Sequence, residues 1–469
     1  MRIRVFGHYV YASIAVLALI EALVFFGAVY GAALVRFHGS LSFVSDPSPD
    51  LSGALWPRAL LFSAVTVMCL LAFGLYSARQ RARLLGIALR IILAVLMAFL
   101  VASALFYLIP NLWIGRGVVG LAAVGAFFGV VVSRSIFARV VDEEVFKRRV
   151  LIYGAGRSAA TIAELRRRSD RRGFHVVGFV PAPGEVLAVD SGRLLTPEGS
   201  LVDLCQSFDV AEVVVSMDDR RRGFPISELL NCRLAGVDVT EQLTFLERET
   251  GRVRLDILNP AWLIFGEGFR RNALRRLSAR ALDLSSALVV LALAWPFMLL
   301  TALAIKIEDG FTAPVLYRQR RVGLLGEPFE LLKFRSMRVD AEKDGAQWAR
   351  KGDTRVTRVG AFIRKVRLDE LPQLLNVLRG QMSFVGPRPE RPEFVAELAE
   401  RIPYYVERHS VKPGLTGWAQ LCYPYGSSEQ DALEKLQYDL YYVKNNTLLF
   451  DLAILVQTAE VVFLGKGAR

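Results

Sequence analysis

The residues best suited to chemistry gather in the last third of the chain. Four short clusters there carry basic side chains and carboxylates between them: Lys333-Phe334-Arg335-Ser336-Met337, Asp353-Thr354-Arg355-Val356-Thr357, Leu368-Asp369-Glu370-Leu371-Pro372-Gln373 and Gly386-Pro387-Arg388-Pro389. After the acid pair, Leu371, Leu374, Leu375 and Leu378 follow a helical period, and Pro372 suits only a first turn. Asp369 and Glu370 are therefore expected at a helix N-terminus. Unpaired N–H groups and the positive dipole end favour a phosphate there, and Lys333, Arg335, Arg364 and Arg388 could neutralise the rest of a diphosphate. Adjacent carboxylates without histidine or cysteine are hard oxygen ligands suited to magnesium. A carboxylate beside a metal-bridged diphosphate can attack phosphorus and form an acyl phosphate. An Asp-Glu pair on its own would read as a helix cap; the surrounding clusters favour the chemical reading.

These clusters follow a chain with membrane character. Of its 469 residues 53% are hydrophobic, and the net charge is +13. Four apolar runs, Tyr9 to Val35, Ala59 to Tyr76, Ile87 to Leu108 and Trp113 to Val132, are each long enough to cross a hydrocarbon core of about 30 Å as helix. The first is longer than a signal peptide and lacks a convincing cleavage site, so it is expected to stay in the mature protein. Arg2 and Arg4 precede it, Arg79, Arg81 and Arg83 separate the second and third runs, and Arg134, Arg139, Lys147, Arg148 and Arg149 follow the fourth. The first external loop carries Asp46 and Asp50, and the second is a few residues around Pro110 and Asn111. The positive-inside rule places both ends of this bundle in the cytoplasm. Glu21, Arg90 and Arg116 lie in or near the spans, as a transport path or, the preferred reading, as helix-helix pairs and snorkelling ends. Basic residues beside apolar segments suit an anionic membrane face and phosphorylated substrates rather than nucleic acid. Cys69, Cys205, Cys232 and Cys422 have neither zinc nor redox spacing and read as packing residues.

From Arg149 the pattern becomes a βαβ rhythm: Val150 to Gly154, Ser158 to Arg168, His175 to Val180, then Ala211 to Met217 and Val237 to Thr240. A Rossmann-like sheet is expected. Gly154, Gly156 and Ala159 follow the first strand as a dinucleotide fingerprint requires. The second strand, however, ends in Val180 and Pro181 rather than in the acidic residue that would take ribose hydroxyls. The fingerprint is half present, and an NAD site, a regulatory nucleotide or nucleotide-sugar site and a scaffold or dimerisation role all stay open.

Ala281 to Ile305 is apolar enough for a fifth span, yet Arg270, Arg271, Arg275, Arg276 and Arg280 precede it and Lys306, Arg318, Arg320 and Arg321 follow. Crossing would export one basic flank. Pro296, near its middle, can bend a helix sharply, so the segment is expected to enter the membrane, break at Pro296 and return. Leu448 to Leu464, interrupted by Asp451 and Glu460, reads as an amphipathic helix on the membrane face. Tyr404, Tyr405, Tyr441 and Tyr442 suit an interfacial belt or ordinary partial burial equally.

From Arg280 to Arg469 the chain resembles the bacterial sugar transferase family, the polyprenyl-phosphate sugar-1-phosphate transferases, especially the large members that start exopolysaccharide or O-antigen synthesis. The resemblance is carried by Arg280-Ala281-Leu282-Asp283-Leu284, Tyr317-Arg318-Gln319-Arg320-Arg321-Val322-Gly323, the Lys333 cluster, Leu368 through Gln373 with Asn376, Met382 to Pro389, and Lys412-Pro413-Gly414-Leu415-Thr416-Gly417. It implies a re-entrant membrane helix, an Asp-Glu dyad with Asp369 as nucleophile, magnesium, and a ping-pong path. A UDP-sugar would give up UMP, and a polyprenyl phosphate would collect the sugar-phosphate. Glu370 would hold magnesium or the dyad's geometry, and Arg364 and Arg388 would bind phosphates. Family analogy also suggests a homodimer. Arg367 stands where the family usually has Ser, and Phe311-Thr312-Ala313 lengthens a Gly-Pro turn.

The expected architecture is a multi-domain integral membrane protein of the bacterial inner membrane, with its soluble parts on the cytoplasmic side. Residues 1–135 would form a four-helix transmembrane bundle, 136–265 a Rossmann-like α/β domain, and 266–469 an α-rich monotopic catalytic domain with the re-entrant helix at 281–305. A membrane-bound nucleotide-sugar dehydratase or epimerase would need a complete glycine fingerprint and a Tyr-x-x-x-Lys pair, and no tyrosine here has lysine four residues later. In a non-enzymatic membrane adaptor the same clusters would be a solvated surface.

Overall fold

The computed structural model describes residues 2–5, 8–37, 54–76, 84–109, 112–140, 147–165, 173–196, 199–221, 223–258, 260, 273–338, 341, 353–423, 426 and 428–463. Arg79, Arg81, Arg83, Asp46, Asp50, Pro110, Asn111, Arg270 and Arg271, used above to argue topology, lie outside them. The chain divides into two compact units, Met1–Thr250 and Gly251–Arg469. From sequence the second boundary was expected at 265/266; the stretch after Thr250 instead belongs with the second unit, where Val253 N donates to Gln437 O at 3.0 Å.

In the first unit a hairpin of β1 (Arg2–Val5) and β2 (His8–Tyr11) precedes four apolar helices, α1 (Ala12–Arg36), α2 (Leu55–Ala72), α3 (Leu84–Leu108) and α4 (Arg116–Val140). Helices α1 and α3 each pack against both α2 and α4. Ala33, Ala59, Ala94, Ala102, Ala122 and Ala126 are wholly buried, and such small side chains let helix backbones approach closely. Leu19, Leu23, Leu60, Met68, Leu96, Leu100 and Phe128 face outward, and all four helices are long and apolar enough to cross a membrane. Buried Glu21 is met by Arg134 Nε at 3.0 Å, by Ser133 Oγ at 3.2 Å and by the Tyr76 hydroxyl. An unpaired charge at mid-membrane would cost roughly 2.5–3.5 kcal/mol; here it ties α1 to α4.

The α/β part of this unit is a four-stranded parallel sheet in the order β4-β3-β5-β6, from β3 (Arg148–Tyr153), β4 (Phe174–Val180), β5 (Glu212–Val215) and β6 (Asp238–Glu241). Helices cover both faces of such a sheet, which explains the unbroken apolar runs: Val150, Leu151, Ile152, Val213 and Val214 are all fully buried. Helix α5 (Arg157–Ala163) opens after the glycine turn and ends with Glu164 as its C-cap, short of the expected end at Arg168. The later helices are α6 (Leu201–Ser207), α7 (Ile226–Leu234) and α8 (Gln242–Thr250).

After the stretch that starts at Gly251, the second unit has α9 (Ala273–Asp309) and a hairpin of β7 (Leu316–Val322) and β8 (Pro328–Phe334). It adds α10 (Arg358–Lys365), a 3₁₀ turn at Leu368–Glu370, α11 (Gln373–Arg379), and the parallel pair β9 (Ser383–Val385) and β10 (Gly414–Thr416). Helices α12 (Pro392–Arg401), α13 (Trp418–Cys422), α14 (Glu429–Asn445) and α15 (Leu448–Phe463) complete it, with a second 3₁₀ turn at Val406–Ser410. Tyr405 and Tyr442 are buried, Tyr442 donating to Asp451 of α15 at 2.8 Å.

The break expected at Pro296 is no loss of helix: α9 stays helical through the proline. A proline removes one intrahelical bond, and the turns on either side can hold the helix together, as membrane helices commonly allow. The two ends of α9 are nevertheless tied to the same unit. Near its start, Asp283 accepts from Ser383 Oγ at 2.8 Å and Phe384 N at 2.7 Å. Near its end, Glu308 accepts from Arg358 N at 2.8 Å and Val359 N at 2.9 Å. Between them Leu288, Leu293, Trp295, Phe297, Leu299, Leu300 and Leu303 are exposed.

Candidate active site

The acid pair lies where three elements meet. Helix α10 starts with Thr357 capping Gly360 N at 2.9 Å and ends at Lys365. Arg367 then adopts a left-handed conformation (φ 62°), which turns the chain into the 3₁₀ turn carrying Asp369 and Glu370. A non-glycine residue there stores of order 1–3 kcal/mol of strain, and such residues cluster at functional sites. Pro372 caps the seven-residue helix α11, so the pair sits one turn before the regular helix rather than on its first turn. Asn376 joins α11 to β8: its side chain accepts from Leu332 N at 3.0 Å and donates to Glu330 O at 2.7 Å. That clamp holds Lys333 against the turn.

The two carboxylates have different partners. Glu370 Oε1 receives Lys333 Nζ at 3.2 Å and Arg388 Nη2 at 3.0 Å, with Arg367 Nη1 at 3.9 Å. Burial alone would raise its pKa, but Arg388 and Lys333 outweigh burial and hold the carboxyl far below the usual range. Asp369 is 8% exposed, and its Oδ1 is buried without a hydrogen-bond partner. Its pKa is raised, first by burial, with Lys333 opposing and Glu370 adding to the rise. Burial also lowers the pKa of Lys333, against the pull of Glu370.

Of the four basic residues expected around a diphosphate, Lys333 and Arg388 converge on Glu370 itself. Arg364, in the last turn of α10, is close enough to depress the pKa of Asp369. Arg335 lies two residues beyond Lys333, and its Nε is buried without a hydrogen-bond partner. Arg367 was not singled out from sequence as a neighbour of Glu370; its departure from the usual serine was the available signal. For a divalent cation the site offers the unsatisfied Asp369 oxygen and the second oxygen of Glu370. No cluster of three or more acidic, His or Cys ligands occurs among the described residues. Magnesium characteristically takes one or two carboxylates and completes its shell with phosphates and water, so this donor set fits it.

The glycine turn of the sheet has the opposite character. Gly154 (φ 119°) ends β3, and a Cβ there would lie 2.4 Å from Ser216 O. The N–H groups that could hold a pyrophosphate are already engaged: Arg157 N and Ser158 N donate to Asp218 at 2.9 and 2.7 Å, and Ala155 N to Glu185 at 2.8 Å. A Cβ on Gly156 would stand 2.2 Å from Asp218 Oδ2, so the carboxylate fills the space the glycine leaves. Burial acts to raise the pKa of Asp218, but the bonds from Ser158 and Arg157 hold it below the usual range.

Comparison with known proteins gives two family matches. Residues 274–465 match the family described as "Bacterial sugar transferase", and residues 71–221 match one described as "CoA-binding domain". The chain is 42% identical over 241 residues to the UDP-N-acetylgalactosamine-undecaprenyl-phosphate N-acetylgalactosaminephosphotransferase of Aeromonas hydrophila, covering 51% of this chain and 56% of that protein. It is 33% identical over 374 residues to the UDP-glucose:undecaprenyl-phosphate glucose-1-phosphate transferase of Xanthomonas campestris pv. campestris, covering 76% and 75%. With the protein of the same description from Escherichia coli (strain K12), identity is 34% over 331 residues, covering 69% of each. The residues of the glycine turn do not fit the diphosphate of coenzyme A as they are arranged, because two carboxylates hold its N–H groups.

Proposed function

The chain belongs to the bacterial sugar transferase family, and from that premise we propose that it moves a sugar-1-phosphate from a UDP-sugar to undecaprenyl phosphate, with Asp369 as the nucleophile. The observation that carries this reading is the contrast within the dyad: Glu370 is neutralised by Lys333 and Arg388, while a buried oxygen of Asp369 has no partner. Buried polar atoms are normally paired, and an unsatisfied carboxylate among cations is poised for an electrophile.

In the first step an oxygen of Asp369 attacks the β-phosphorus of the donor. The bond from that phosphorus to the bridging oxygen breaks, UMP departs with the oxygen, and the sugar-phosphate remains on Asp369 as an acyl phosphate. In the second step a phosphate oxygen of undecaprenyl phosphate attacks the same phosphorus. The bond from that phosphorus to the Asp369 oxygen breaks, Asp369 regains its carboxylate, and polyprenyl-diphosphate-sugar leaves. Lysine has three donors and arginine five, so a bond to Glu370 does not exhaust Lys333 or Arg388 for phosphate oxygens. Arg335 and Arg364 extend that cationic wall. Magnesium held by Asp369 and Glu370 would supply charge neutralisation on the diphosphate.

The four apolar helices span the inner membrane, and α9 dips into it from the cytoplasmic side without crossing. The attachment of both its ends to one unit supports this, as do the exposed apolar side chains between them. A water-soluble donor and a lipid acceptor can then reach one carboxylate in turn. This transfer is the initiating step of exopolysaccharide or O-antigen synthesis. The test is UMP release by the full-length protein in detergent, with a panel of UDP-sugars, undecaprenyl phosphate and magnesium. Asp369→Asn should release none, and the wild type without lipid phosphate should retain label from a radioactive sugar. Unchanged turnover in Asp369→Asn would refute the nucleophile.

A further inference from the structure

The loop Gly386-Pro387-Arg388-Pro389-Glu390 carries the arginine that meets Glu370, and two of its residues are prolines, which offer no backbone N–H. Four of its carbonyls are engaged instead. Pro387 O accepts from Gly414 N at 2.9 Å, Arg388 O from Arg408 Nη2 at 3.0 Å, Pro389 O from Arg321 Nη1 at 3.1 Å, and Glu390 O from Val322 N at 3.0 Å. Four consecutive carbonyls are thus gripped by β7, by the 3₁₀ turn at Val406–Ser410 and by the edge of β10. Arg408 is the unusual member. It is 6% exposed, it pairs with Asp439 Oδ2 at 2.8 Å, and it donates to the Tyr405 hydroxyl at 2.8 Å. The Tyr405 ring also lies under its guanidinium, 5.2 Å from centroid to Cζ.

Burying a charged pair is seldom a gain in stability over a well-packed apolar pair. A role beyond stability is therefore indicated for one whose guanidinium ends on the backbone of a site residue. Resting on the transferase reading, we propose that Arg408, held by Asp439 and Tyr405, is a positioning residue: it fixes the Arg388 backbone so that the Arg388 guanidinium reaches Glu370. Arg408 touches neither carboxylate of the dyad; it acts through Arg388. The planar fork of arginine suits the place, since its two separated terminal nitrogens reach the Tyr405 hydroxyl from one and the Arg388 carbonyl and Asp439 carboxylate from the other.

The test is a double-mutant cycle on the full-length enzyme. Arg408→Met/Asp439→Leu removes the buried pair as a unit and leaves no lone charge. It is combined with Arg388 intact and with Arg388→Ala. With Arg388 intact kcat/KM for the UDP-sugar should fall about 10- to 100-fold, on the scale of losing one site donor. With Arg388 already removed the same change should cost less than about threefold, because the residue it positions is absent. Equal losses in both backgrounds would show an independent structural role and overturn the proposal, as would no loss with Arg388 intact. If the paired replacement does not fold, Arg408→Lys is put through the same cycle, with melting temperature checked in each variant. Wild-type turnover is measured first: an enzyme that releases no UMP sinks the transferase reading, whereas release with an additive cycle sinks only the positioning role.

Discussion

Two turns in this molecule put carboxylates next to groups that bind anions, and they end in opposite states. At the glycine turn after β3, Asp218 and Glu185 consume the N–H groups of Ala155, Arg157 and Ser158. At the turn before α11, Glu370 consumes Lys333 and Arg388, but Asp369 is left buried with an unpaired oxygen. The first arrangement is complete without a ligand. The second is incomplete, and its shortfall is a hard anionic oxygen among cations. A recognisable motif marks a location; whether the groups there are already satisfied indicates whether it awaits a partner.

The largest effect that would sharpen this contrast is at Asp369. Asp369→Asn keeps the shape and removes the proposed nucleophile, so turnover should fall by at least about 10⁴-fold with every UDP-sugar that supports it. Retention of even a tenth of the wild-type UMP release would make the two turns alike in function. Next comes Lys333→Met, expected to lower kcat/KM about 10²-fold, since one cation facing the reacting phosphate is lost.

The same variants give a pH test with a defined sign. Asp369 must be ionised to attack, and burial holds its pKa above that of an ordinary carboxylate, so the acid limb of kcat/KM should fall as pH drops through that raised value. Lys333 opposes the rise; without it the limb moves to higher pH. Glu370 adds to the rise, so Glu370→Gln moves the limb to lower pH at reduced overall rate. Shifts of the same sign in both variants would show that the limb reports another group.

Much of this arrangement is legible in the sequence where the signal is local. Hydropathy over windows of about 20 residues marks α1 to α4 and α9 alike, because crossing requires a length and composition that these helices share. Valine-rich runs beginning at Val150 and Ala211 mark buried parallel strands. The Asp369-Glu370 pair is visible because its helix follows at once. Long-range use of a side chain is what stayed hidden. Lys333 and Arg388 were expected on phosphate, and nothing near either residue announces that both end on Glu370. Asp218 lies more than 60 residues from Gly156, so only the folded sheet shows it entering the glycine turn. At Pro296 the local rule marks a place where a helix can bend, and the turns on either side stay helical through it.

The smallest expected effect is at Asp218, and it probes the other half of the contrast. Its carboxylate accepts two backbone N–H bonds at an exposed position, where water can replace part of what is lost. Asp218→Asn should therefore destabilise the α/β part by only about 1 kcal/mol, a melting shift of roughly 2–4 °C for a unit of this size. UMP release should stay within about twofold of wild type, because no group of the dyad changes. Calorimetry of the wild type with millimolar coenzyme A or NAD should give no saturable heat, since a diphosphate would have to displace two carboxylates from the N–H groups and then sit beside their charge. Saturable binding of either nucleotide would mean that Asp218 and Glu185 swing aside, and that a turn satisfied from within can still be a site.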